Sequence, residues 1–136
     1  EKKNLIPFQP QEAKEFGMYL DKSWYALKLK NEDAIEPGIV QDLDVSILSN
    51  LILKPIFGIQ DLRSDKRVGF LSGTHGNNEL MRLVDSGKYA CAFTLFPVQG
   101  TQFYAISDTG KIMPPKSTWI EPKLRSGLVV YDLELN

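Results

Sequence analysis

Glu15-Phe16-Gly17-Met18-Tyr19-Leu20, then Asp21-Lys22-Ser23, then Trp24-Tyr25-Ala26-Leu27-Lys28-Leu29-Lys30 is the stretch on which the fold turns. In its second run Tyr25, Leu27 and Leu29 alternate with Ala26, Lys28 and Lys30. Successive side chains of a strand point to opposite faces, so this spacing puts an apolar face on one side and a wetter one on the other. Two such runs around a short polar turn predict a β-hairpin of Glu15–Leu20 and Trp24–Lys30. A two-stranded ribbon cannot bury its apolar face alone, so the rest of the chain must cover it.

Downstream, a polar loop at Asn31–Gly38 leads to a helix that Asp42 or Asp44 can cap. Val45, Leu48, Leu51 and Ile52 share one helical face, and Ile47 and Leu53 widen the stripe. Pro55 disfavours helical backbone at Lys54, which predicts the helix end there. Beyond a charged loop at Asp61–Lys66, Arg67–Leu71 has the look of a short strand. Asn77 or Asn78 opens the next helix, with Leu80, Leu83 and Val84 inward and Gly87 as its stop. Tyr89–Phe96 is an apolar strand ended by Pro97. Gly100–Thr109 suits a third helix closed by Gly110, with Phe103 and Ile106 inward. Ser126–Leu133 is the last strand. The order predicts an α+β fold: a mixed or antiparallel sheet of about five strands with about three helices packed mainly on one face. Leu48, Leu51, Ile52, Leu83, Val84, Ala92, Phe93, Leu95 and Val129 are the expected core.

Composition narrows the function. The chain has 136 residues, 43% hydrophobic and 24% charged, with 16 basic and 17 acidic side chains. Residues 1–14, with Pro7 and Pro10, read as a linker or arm. Residues 15–136 are long enough for a single α+β domain with its own core. No basic cluster appears, so no nucleic acid is expected as a partner. The most apolar window, Val45–Ile59, is broken by Asn50, Lys54 and Pro55, so no membrane span is expected either. The first residues lead into no signal peptide, and there is one cysteine; a cytoplasmic location is the expectation. Cys91 sits in an apolar run and reads as a buried, reduced small hydrophobe.

Strong catalytic motifs are missing. Gly69 and Gly73 lack the Gly-Lys-Ser/Thr ending of a phosphate loop. One Cys and one His exclude a standard zinc site. His75, between Thr74 and Gly76, reads as a turn residue. Asp42 and Asp44 are two apart and do not share a helix face, so helix capping suits them better than acid–base work. The segment Met113–Gly127 carries Lys116, Lys123 and Arg125 with the hydroxyls of Ser117, Thr118 and Ser126, on a backbone stiffened by Pro114, Pro115 and Pro122. Fixed cations beside hydroxyls are what an anion or phosphate site requires. A connection whose Ser and Thr bond local backbone would use the same residues. From the residues alone both readings stay open.

Three stretches carry a resemblance. Val40-Gln41-Asp42-Leu43-Asp44-Val45-Ser46-Ile47-Leu48 resembles a helix of domain-of-unknown-function family number 1015. The run from Met113-Pro114-Pro115-Lys116-Ser117-Thr118 through Pro122-Lys123 to Ser126-Gly127-Leu128 resembles that family's closing signature, with Ile120 where the family usually has Phe. Phe16-Gly17-Met18-Tyr19-Leu20 is similar to the strand that opens its C-terminal region. The resemblance implies the C-terminal part of a longer intracellular prokaryotic protein, with Lys116, Ser117 and Thr118 as its hallmark and the missing N-terminal portion as a partner. The expected function is the binding of a phosphorylated or nucleotide-type small ligand at Lys116, Ser117, Thr118, Lys123, Arg125 and Ser126. The alternative is a structural or assembly module that completes the N-terminal portion. A piece of a larger protein should show an apolar seam, for which Trp24, Trp119 and Ile120 are the candidates.

Overall fold

The computed structural model describes residues 6–118. The expected strand at Ser126–Leu133, together with Trp119, Ile120, Lys123, Arg125, Ser126 and Val129, lies outside the described residues.

The hairpin forms where the alternation places it, as β1 (Glu15–Leu20) and β2 (Ser23–Lys28). Its turn is tighter than the sequence suggests. Asp21 and Lys22 both take left-handed backbone, with φ of 47° and 57°, and Ser23 already pairs with Leu20. Left-handed residues at both turn positions match the right-handed twist of the flanking strands. A third strand, β3 (Ala92–Leu95), is the middle of the expected apolar run. The described sheet is antiparallel throughout, in the order β2-β1-β3. The expected strand at Arg67–Leu71 does not form. Asp65 accepts from the Arg67 N–H at 2.9 Å and grips its guanidinium, which donates to the carbonyls of Phe57 and Gly58. That backbone is spent on a turn and a helix end rather than on a ladder.

Register sorts the sheet into two faces. Phe16 stands opposite Leu27 and Leu95, and Met18 opposite Tyr25 and Phe93. On the other face Gly17 meets Ala26 and Thr94, and Tyr19 meets Trp24 and Ala92. A continuous helical segment covers the Phe16 face: α1 (Asp44–Leu48), a π-helical turn at Ser49–Leu53, and α2 (Lys54–Phe57). Phe16, Ile47 and Leu48 form the buried cluster that joins it to the sheet. The helix therefore runs past Lys54, where Pro55 was expected to end it. The wide turn explains this. The Lys54 N–H reaches back to Ser49 O, a five-residue span that eases the proline ring past the preceding carbonyls. Gly58, with φ of 66°, stops the helix, donating to Lys54 O at 3.1 Å.

α3 (Gly76–Asp85) and α4 (Gly100–Asp108) follow the spacing closely. Gly87 and Gly110 lie just beyond them in left-handed backbone. Gln99 and Gln102 close a capping box on α4. The helices do not all share one face, however. Asp85, at the end of α3, accepts a hydrogen bond from the Tyr19 hydroxyl at 3.1 Å, and Tyr19 points away from Phe16. No helix among the described residues is long and apolar enough to cross a membrane.

Core depth departs from expectation. Of the expected core residues Leu48 is buried, whereas Leu51, Ile52, Leu83, Val84, Ala92, Phe93 and Leu95 are half-buried. Periodicity names a face, and how deeply that face lies depends on what covers it. Phe103 is 40% exposed and packs edge-on against Tyr104, while Ile106 is buried as expected. Trp24, a candidate for the exposed seam, is fully buried. It stands in a cross-strand pair with Tyr19, ring centroids 5.2 Å apart.

The arm is fastened as well. Pro10 is buried, and Thr94 Oγ1 donates to Phe8 O at 3.3 Å. Gly17 is what lets the arm come so close: a Cβ there would overlap the Thr94 hydroxyl and stand 3.0 Å from Phe8 O. Gly17→Ala is therefore expected to cost about 1–3 kcal/mol, the range for overfilling a packed site, read from urea-unfolding midpoints. A neutral result would show that the arm moves aside freely.

Candidate functional site

The segment singled out by its cations begins in a tight turn. Proline fixes φ near −65°, which suits Pro115 to a turn, and Lys116 follows in left-handed backbone with φ of 61°. A non-glycine residue there stores on the order of 1–2 kcal/mol. Ser117 Oγ donates to Pro114 O at 2.7 Å and closes the turn. Lys116 and Thr118 are exposed and Ser117 is half-buried. Among the described residues no ion pair engages Lys116. Lys123, Arg125 and Ser126 lie outside the described residues; the described half of the site is Lys116 on a strained turn, followed by the hydroxyls of Ser117 and Thr118.

Two shallow depressions lie elsewhere, along the helical segment. One, of about 140 Å³, runs between β2 and the π turn, lined by Phe16, Leu27, Leu29, Ile47, Leu51 and neighbouring residues. The other, of about 110 Å³, lies by Ile35, Gln41, Ile47 and Asn50. Both are mainly apolar and neither includes Lys116, Ser117 or Thr118.

The remaining sequence candidates separate cleanly. His75 is exposed and precedes α3 in helical backbone, with no side-chain cap bond. Cys91 is half-buried rather than buried, and burial pushes its thiol above the ordinary value, which leaves little thiolate. Among the described residues no group of three or more His, Cys, Asp and Glu could hold a metal ion. Asp42 is exposed and Asp44 is 7% exposed. Neither caps α1 by a side-chain bond, since Leu43 occupies the cap position.

Their actual partner is Lys14, which no sequence signal singles out. Lys14 has left-handed backbone, φ 68°. Its N–H donates to Asp44 Oδ1 at 2.9 Å and its carbonyl accepts from Leu29 N–H at 3.2 Å. Its ammonium pairs with Glu32 Oε2 at 3.1 Å and Asp42 Oδ1 at 3.2 Å. One residue thus ties the arm, the end of β2, the Asn31–Gly38 loop and the start of α1. Among the described residues, the non-glycine residues with positive φ are Lys14, Asp21, Lys22 and Lys116. Polar bonds hold the first, a hairpin turn the next two and the Ser117–Pro114 turn the last, and among the described residues no ion pair engages Lys116.

No family model, no curated protein and no solved structure matches this chain.

Proposed function

We propose that this chain is a cytoplasmic module of a larger protein, belonging to domain-of-unknown-function family number 1015, and that it binds a phosphorylated or nucleotide-type small ligand. Lys116, Ser117, Thr118, Lys123, Arg125 and Ser126 are the proposed contacts. The observation that carries this reading is Lys116: a left-handed lysine with no ion pair among the described residues. Strain of this kind persists where surrounding structure enforces it, and it collects at binding sites. A cation held on a proline-stiffened turn loses little freedom when an anion arrives. Thr118 adds a hydroxyl donor beside it, and a charge-assisted bond to a phosphate oxygen is the strong kind.

The second reading, a structural module without a ligand of its own, draws on Ser117. Its hydroxyl is given to Pro114 O, as in a turn that only routes the chain. Thermal melting separates the two. A ligand that binds only the folded state raises the melting temperature with concentration. Inorganic pyrophosphate, ADP and ATP are the probes, and at least one is expected to raise it in a saturable way. If all three leave it unchanged at millimolar concentration, the structural reading stands and the ligand reading falls.

A further inference from the structure

The corner where the arm enters β1 holds a buried charge that the proposed ligand site does not use. A carboxylate spreads its charge over two oxygens. At Asp44 one of them, Oδ1, is answered by the Lys14 amide, and the other, Oδ2, is buried without a hydrogen-bond partner among the described residues. The side chain is 7% exposed, so water does little to make up the difference. An ion with an unanswered oxygen is costly to bury, and the neutral acid is much less so.

The charged groups facing Asp44 do not repair this. The Lys14 ammonium attracts it, yet that ammonium is already held by Asp42 and Glu32. Asp42, two residues away, repels it. The Phe96 amide, beyond β3, favours the ionised form but does not reach hydrogen-bond geometry at Oδ2. We propose that Asp44 is a proton-operated latch: one proton from solvent, bound at Oδ2, neutralises the corner between β1 and α1 and adds to the hold between them as pH falls.

Burial is the largest influence on this carboxyl and holds it above the ordinary aspartate value, with the Lys14 amide pulling the other way. A carboxyl whose value is higher in the folded chain binds its proton more tightly there than in the unfolded chain. Its contribution to stability is fully present below the unfolded value and is lost as pH rises through the folded one. Glu12 and Asp61 are exposed and Asp65 and Glu79 half-buried, and all four are carboxyls held low by their partners. They act in the opposite sense, so the wild-type curve alone mixes the two.

Asp44→Asn isolates the effect, because asparagine keeps an acceptor for the Lys14 N–H and carries no charge at any pH. The variant is expected to melt with wild type at about pH 3 and above it at about pH 7, the gap opening as Asp44 ionises. A carbon-13 titration of the Asp44 carboxyl in the wild-type chain needs no variant to fold, and its midpoint is expected above the ordinary aspartate range. A midpoint at or below that range overturns the latch. So does a variant that is less stable at neutral pH by an amount that does not change with pH.

Discussion

Trp24→Ala is expected to destabilise the protein by about 3–5 kcal/mol, the cost of deleting a large buried aromatic side chain, whereas Trp24→Phe should cost much less. Trp24 is fully buried and lies against the Tyr19 ring, so alanine forfeits a large apolar contact and leaves a cavity. Its indole N–H is a different matter. Nε1 is buried with no acceptor among the described residues, which makes it a liability rather than a bond. Phenylalanine removes that donor and keeps most of the ring, so the lost volume is partly offset by an unsatisfied group removed. Chemical unfolding of the three proteins checks this, with equal losses for Ala and Phe as the result that would assign Nε1 a partner.

Phe16→Ala should fall in the same range, about 3–5 kcal/mol, for a different reason. Phe16 lies on the central strand, opposite both Leu27 and Leu95, and in the buried cluster with Ile47 and Leu48. Its loss loosens the sheet from the helical segment. Ile47→Ala should therefore cost less in a Phe16→Ala background than in wild type, since neighbours that share one contact surface do not add. Additive losses would mean that the two side chains do not hold the same joint.

These residues mark what was legible from sequence. The period-two run at Tyr25–Lys30 placed the hairpin, and glycines at 87 and 110 with polar starts placed α3 and α4, because those signals are local. Arg67–Leu71 failed because its apolar residues say nothing of where Arg67 sends its guanidinium. The helix outran Pro55 because a π turn, invisible to a 3.6-residue pattern, made room for the ring. Trp24 was expected at a seam, yet a cross-strand partner and the register decide burial, and neither is local. Lys14 was missed for the same reason: its bond to Asp44 spans 30 residues of sequence, and a lysine gives no hint of left-handed backbone. Lys116, by contrast, was singled out by its neighbours Pro114, Pro115 and Ser117, though its conformation was not.

The ligand reading rests on Lys116, and calorimetric titration of ADP into wild type and Lys116→Gly tests it most directly. Glycine accepts left-handed backbone without strain, so the variant keeps the turn and loses only the cation. The expected result is an unchanged or slightly higher melting temperature, with affinity for ADP reduced about 10-fold or more, as befits one lost charge-assisted bond worth about 1.5–3 kcal/mol. Saturable ADP binding that is the same in both proteins would contradict the role given to Lys116.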